Sequence, residues 1–492
     1  MIAVLLILVP LIAGLISFFI KEEKAARAWS LFASMITLAV SLTGLLFIKD
    51  SKYFGCQQEW MSVIGSSFSI KLDGMGQMLC LLTALAYPLI FIGTWDAKYK
   101  NANQFFALML LGQAGLMGVF LAMDALLFYF FWELALIPMY FLCSIWGGEK
   151  RIRVTFKFFI YTFTGSILML IAILYVYSHT PSHSFDIAAF YNAPLNGNQQ
   201  SIVFYLMFVA FAIKMPIFPF HTWQPDTYEQ SPTATTMVLS GVMVKMGVFG
   251  MIRWLFPVVI GASFNWGDFI TPLTAIGMIY ASLIAIQQDD LKRLVAYSSI
   301  AHVGFMCVGL FTQNVSGIQG VMLQMFNHGI NIIGLWLVVE WIERKLGTRK
   351  ISELGGLAQK APALTTFLVI IALANIALPL TNAFVGEFLI FNGLMSSFTQ
   401  YYFWFTLMTG VCIILAAVYT LRMIRHVFYG NTNALTAAAS DINWNEKLAL
   451  TIITLMIIWI GIFPQHMLYL THEVSNDLAG KFEALRASIG RK

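Results

Sequence analysis

Residues 208–221 read FVAFAIKMPIFPFH, a lysine and two prolines set inside an otherwise apolar run. Pro216 and Pro219 cannot donate to the carbonyls of Ala212 and Met215, so the helical ladder is expected to open on either side of Lys214. Broken backbone at membrane depth is tolerated only inside protein or beside water. Burial also disfavours the ammonium form, so modest changes nearby can move its proton on and off. Lys214 therefore reads as a proton-handling group rather than an anchor.

The rest of the chain supplies the membrane that this reading needs. With 492 residues, 59% hydrophobic and 11% charged, and a mean hydropathy of +0.77, it is too apolar for a soluble domain of its size. The N-terminus is apolar first and basic afterwards, at Lys21, Lys24 and Arg27. A cleaved signal peptide has the reverse order, so this segment reads as a retained first span. Cys56, Cys80, Cys143, Cys307 and Cys412 show no CxxC spacing, which argues against a metal site or a disulfide framework. There is no nucleotide motif, no soluble domain and no nucleic-acid-binding signal.

Apolar runs of about twenty residues give an all-α polytopic membrane protein of about 14 transmembrane helices. They lie near 2–20, 29–48, 75–95, 105–123, 125–146, 157–178, 202–220, 233–256, 267–287, 295–311, 317–341, 363–396, 404–427 and 448–470. With the N-terminus outside, about 19 Lys and Arg fall on the inner side against about 8 outside, in line with the positive-inside rule. Both termini are then external. The four basic residues of the tail, 471–492, are the one local discord.

Ionisable residues recur where spans have no need of them. Glu133 sits mid-span, four residues after Tyr129 and five before Pro138, which is expected to kink the helix beside the carboxylate. Lys245 lies too deep for its stem to reach an interface easily. Gly241, Gly247 and Gly250 around it are expected to admit other helices closely. His302 and His328 follow in apolar helices, where a hydrogen-bonded core histidine is as good a reading as a relay. In the twelfth span Pro379 frees the carbonyl of Asn375, and a break is expected around Leu380 to Ala383, with Glu387 after it. Two interrupted spans, seventh and twelfth, suggest two inverted repeats of five helices, at 101–258 and 259–430. A three-helix segment, 1–100, precedes them, and a last helix with a short tail, 431–492, follows. Asp124, Glu149 and Glu340 read as boundary residues. Asp289, Asp290, Lys292 and Arg293 read as a solvated inner loop.

FFWELALIPMYFLCSIWG, FAIKMPIFPFHTWQPDTYEQSPTATTMVLSGVMVKMG, DDLKRLVAYSSIAHVG and ALPLTNAFVGEF resemble the antiporter-like subunits of respiratory complex I, the proton-pumping NADH:quinone oxidoreductase. The resemblance covers spans four to thirteen. Glu387, at a position where L and N types and the related sodium/proton antiporters usually have lysine, points to the M type, also called chain 4. By this resemblance Glu133 matches the acid paired with the central lysine, Lys214 that lysine, Lys245 the middle relay lysine and Glu387 the terminal exchange site. His302 and His328 match relay histidines. Two positions depart from the family pattern: Tyr228 stands where a histidine is usual, and Leu380 where a glycine is.

The resemblance implies no redox cofactor in this chain, with FMN, iron-sulfur clusters and quinone in partner subunits. It implies L-type and N-type neighbours within the bilayer of a bacterial plasma membrane or an organelle inner membrane. A subunit of a multisubunit sodium/proton antiporter and a purely structural membrane scaffold are the rival readings.

Overall fold

A computed structural model describes residues 1–46 and 53–490. The end of the second expected span and two of the four basic tail residues, Arg491 and Lys492, lie outside the described residues. Helices α1 (Ile2–Ser17) and α2 (Glu23–Leu46) lead into a hairpin of β1 (Gly55–Met61) and β2 (Ser66–Lys71), paired antiparallel. Then come α3 (Gly74–Gly93), α4 (Ala102–Leu121), α5 (Ala125–Trp146), α6 (Arg151–His179), the short α7 (Ile187–Tyr191), α8 (Gly197–Lys214) and α9 (Trp223–Gln230). α10 (Thr233–Val258) contains two π-helical turns. It is followed by α11 (Ile260–Gln287), α12 (Leu291–Leu310), α13 (Val315–Leu346), α14 (Pro362–Asn375), α15 (Asn382–Met395), α16 (Tyr402–Val427), α17 (Trp444–Ile462) and α18 (Gln465–Ile489).

Among the described residues, eleven helices are long and apolar enough to cross a membrane. The other expected crossings are α1, α8 and the α14–α15 pair, which are shorter or less apolar. α10 and α13 form the axis of the bundle, their apolar windows wholly buried, whereas α6 and α16 have windows only 39% buried. This contrast follows from composition. α13 is lined with Gly, Asn, Gln and His that need protein partners, while α6 carries Ile and Phe that lipid can cover.

Three details differ from the sequence expectation. The fold is not purely helical, because the polar stretch after α2 pairs with itself as a hairpin. Gly65 at φ +75° closes the turn, and Asp124 anchors the hairpin by accepting from Ser66 Oγ, Ser67 N, Leu126 N and Leu127 N. Asp124 is thus a fully buried cap rather than a boundary charge. The expected tail is mostly helix α18, whose Met467, Leu478 and Phe482 are buried. Its start approaches α3 so closely that a Cβ on Gly74 would lie 1.8 Å from the Leu470 carbonyl oxygen.

The third correction concerns residues 289–293. Asp290, Lys292 and Arg293 belong to an ion-pair network rather than a solvated loop, while Asp289 accepts from Ser352 N and Oγ. Asp226 on α9 accepts from Lys157 of α6 at 2.9 Å and from Arg293 of α12 at 3.1 Å. Arg293 also reaches Glu229 at 2.9 Å, and Glu229 reaches Arg349 at 3.1 Å. Arg349 pairs in turn with Asp290 and Glu343, and Glu343 with the buried Lys292 at 2.7 Å. Four cations and four carboxylates from five segments lock this end of the bundle together, and α9 sits at the centre.

Candidate functional site

The site is built from the interior outward. α8 stays helical through Lys214 and ends there, so the ladder opens on the C-terminal side alone. The reason is positional: both prolines follow the lysine. The carbonyl of Ala212, which Pro216 cannot bond, accepts instead from Ile217 N at 3.1 Å. Lys214 is 2% exposed, and its Nζ stands 5.3 Å from the centre of the Trp132 ring. Glu133 is the next residue on α5, but the expected carboxylate–lysine pair is open. Glu133 Oε1 and Lys214 Nζ are both buried without a hydrogen-bond partner. α5 itself runs unbroken through Pro138.

α10 carries Lys245 alongside. Glycines make the approach possible: a Cβ on Gly247 would meet Met215 Cγ at 2.4 Å and the Phe211 carbonyl at 2.8 Å. On the opposite side a Cβ on Gly241 would meet Ile333 of α13 at 2.9 Å. The π turn beside Lys245 brings the Ser240 carbonyl within 2.6 Å of its Nζ. The same Nζ lies 2.8 Å from His328 Nδ1 on α13.

From His328 the polar row continues. The His328 and His302 ring centres are 5.7 Å apart, and His302 Nδ1 is 3.6 Å from Glu387 Oε1. Gln324 Nε2 donates to the same carboxylate at 3.4 Å. Lys245, His328, His302 and Glu387 are 0%, 2%, 8% and 5% exposed, so none of the four faces lipid. Lys245 to Glu387 is one contiguous row, with Lys214 and Glu133 beyond its α10 end. A cavity of about 20 Å³ lined by His302, Asn375, Glu387 and Tyr419 has room for about one water.

The second break lies slightly earlier than expected, between α14 and α15 at residues 376–381. Ala377 and Leu380 take φ +55° and +73°, a region costly for a residue with a Cβ. Leu380 thus adopts the backbone that the family's usual glycine would hold. Asn382 secures the restart: Asn327 donates to its carbonyl at 2.7 Å, and its amide exchanges hydrogen bonds with that of Asn331 at 3.1 and 3.0 Å. These asparagines and Gln324 were not singled out in the sequence. Their signal was present, since Gln324, Asn327, His328 and Asn331 fall at i, i+3, i+4 and i+7 on one face of α13.

Tyr228 is fully buried on α9, its ring edge-on to Trp336 at 5.9 Å. Burial pushes its phenol up, so it is no substitute for a titrating histidine near neutral pH.

Comparisons with known proteins identify the family to which the chain belongs. Residues 122–415 match the family described as NADH:quinone oxidoreductase/Mrp antiporter, TM. The NADH-quinone oxidoreductase subunit M of Rickettsia typhi is 35% identical over 97% of this chain and 98% of its own length. Respiratory complex I from Thermus thermophilus with bound NADH contains a chain that superposes with a TM-score of 0.90 at 27% identity, covering 98% of this chain and 99% of that one. A chain of the Mrp complex from Dietzia sp. DQ12-45-1b has the same fold, with a TM-score of 0.86 at 18% identity and 97% coverage of both. The chain therefore belongs to the NADH:quinone oxidoreductase/Mrp antiporter transmembrane family, among its subunit M members.

Proposed function

We propose that this multi-pass membrane protein is a proton-translocating subunit of the membrane arm of NADH:quinone oxidoreductase. Redox chemistry in partner subunits, which would hold FMN, iron-sulfur clusters and quinone, drives proton transfer here, between L-type and N-type neighbours. The observation that carries the reading is the buried row from Lys245 through His328 and His302 to Glu387. Lys245 and His328 stand at 2.8 Å, the two histidine ring centres at 5.7 Å and His302 and Glu387 at 3.6 Å, and buried ionisable groups without a structural need mark ion paths.

In this account Glu133 and Lys214 form the input. Closing their gap favours the lysine ammonium by charge attraction, and opening it frees the proton. Water bridges the step from Lys214 to Lys245, since the unpartnered Glu133 Oε1 and Lys214 Nζ need solvation that protein does not supply. Glu387 is the exchange site. The two broken helices serve equivalent places in two inverted repeats, 101–258 and 259–430, in the manner of transporters whose sites lie at helix breaks.

A sodium/proton antiporter subunit is the second reading, favoured only by the Mrp-like fold. Replacing Lys245 with alanine in assembled complex and following NADH-driven acidification of vesicles tests the first. The account expects pumping to collapse and to be indifferent to sodium in the unmodified complex. Undiminished pumping would remove the relay, and sodium-dependent exchange without NADH would favour the antiporter.

A further inference from the structure

The inner end of the α5–α6 hairpin carries charge that the proton path does not use. Lys150, Arg151, Arg153 and Lys157 fall within eight residues at the start of α6. Lys157 is taken by Asp226, and Arg151 Nη1 donates to the nearby Gly148 carbonyl at 3.3 Å. Lys150 and Arg153 are exposed and form no ion pair among the described residues. Both line an open cavity of about 460 Å³ together with Lys157, Asp226, Glu229 and Arg293. The two carboxylates there are already neutralised by Lys157 and Arg293. The cavity therefore has a net positive rim made of two unpaired cations. Glu149, the nearest other carboxylate in sequence, does not line this cavity but an adjoining one that Lys150 and Glu229 share.

The same stretch of α6 also exposes apolar side chains on an adjacent face. Ile152, Phe156 and Ile160 are 66%, 59% and 46% exposed and follow one another at helical spacing down α6. Phe141 and Ile145, 43% and 50% exposed, flank them on α5. An apolar stripe capped by unpaired cations at the inner face is complementary to one class of molecule. Each basic residue near the membrane surface attracts anionic headgroups by about 1 kcal/mol, and the stripe is what acyl chains cover.

We propose that the inner end of α6 is a binding site for an anionic two-chain phospholipid. Its phosphate lies between Lys150 and Arg153, and its acyl chains follow the α5–α6 stripe. A protein neighbour would need a carboxylate against each cation as well as an apolar helix. A phosphodiester with two chains supplies both features in one molecule.

The test uses the intact complex in phosphatidylcholine nanodiscs containing a trace of photoactivatable phosphatidylglycerol, with labelled peptides mapped by mass spectrometry. Label is expected on residues 137–160. The double variant Lys150→Gln with Arg153→Gln should hold the lipid about 30-fold more weakly, at about 1 kcal/mol per basic residue near the surface. Lys360→Gln, an exposed inner-face control, should label normally, and quinone reduction should confirm assembly of each variant. Equal labelling by photoactivatable phosphatidylcholine would overturn the site, as would unchanged labelling in the double variant. So would p-benzoylphenylalanine in place of Phe156 capturing a neighbouring protein chain instead of lipid.

Discussion

Lys245 Nζ stands 2.8 Å from His328 Nδ1, and both groups are buried. Two cations at that separation repel strongly, so the pair carries at most one positive charge. The π turn supplies the Ser240 carbonyl as a second acceptor, which keeps the ammonium solvated when the histidine hands its proton on. A histidine here is therefore a partner of the lysine. His328→Gln, which keeps an acceptor, is expected to retain a substantial part of pumping. His328→Leu should abolish pumping and lower stability by about 1–3 kcal/mol, because a buried donor loses its partner. Vesicle acidification and thermal unfolding of the two variants check this, and equal behaviour would contradict it.

The approach of α8 to α10 depends on missing side chains at Gly247 and Gly250, and only the first faces α8 backbone as well as side chain. Gly247→Ala places a Cβ 2.4 Å from Met215 Cγ and 2.8 Å from the Phe211 carbonyl. Met215 can turn away, but the backbone carbonyl can move only with α8. A loss of about 1–3 kcal/mol, typical of overpacking, and reduced pumping are expected. Gly165→Ala is the matched control, since its nearest neighbours would lie at an ordinary 3.4 Å. Similar thermal stability of the two variants would argue against a tight α8–α10 seam.

Leu380 holds φ +73° with its side chain 70% exposed. Leu380→Gly gives up little packing and removes a left-handed strain of about 1–2 kcal/mol. The purified complex should unfold at a higher temperature or keep its melting point, with pumping intact. A clear loss of stability would mean that the exposed leucine is held by a contact outside this chain.

Asp226 links α6 and α12 through Lys157 and Arg293. Burial raises its carboxyl, but the hydrogen bonds and charges of those two cations outweigh that effect and hold it below the ordinary carboxylate range. A carboxyl depressed on folding contributes stability that is fully present above its unfolded value and lost as pH falls through its folded value. The clamp should therefore be constant through neutral and mildly acidic pH, weakening only below the ordinary aspartate range. Asp226→Asn should remove that acid dependence. Arg293→Gln removes one of the two cations from each of two carboxylates on α9, Asp226 and Glu229, and is expected to cost about 1 kcal/mol, modest because the pairs are partly exposed. Arg293→Lys should restore part of it. Melting curves from pH 3 to 8 follow each effect; an acid limb unchanged in Asp226→Asn would contradict the assignment.

Much of the site was legible because a charge inside an apolar run is a one-dimensional signal. Glu133, Lys214, Lys245 and Glu387 stand out without any knowledge of neighbours. The glycines near Lys245 were legible for the same reason. Pairings distant in sequence were not. Arg349 meets Asp290 and Glu229 only after α12 and α13 have folded back, so residues 289–293 read as an ordinary solvated loop. The exact break before α15 was also hidden, since Ala377 and Leu380 adopt a backbone that their residue types disfavour. The open state of Glu133 and Lys214 is set by how α5 packs beside α8, which local sequence does not encode.

The most direct measurement is NADH-driven proton uptake into vesicles by assembled complex carrying Glu387→Gln, which keeps the side chain's size and its hydrogen bonding to Gln324 but cannot carry a proton. If the buried row conducts, uptake should fall far below that of the unmodified complex at equal complex content. Uptake at the unmodified level would show that protons cross without passing Glu387.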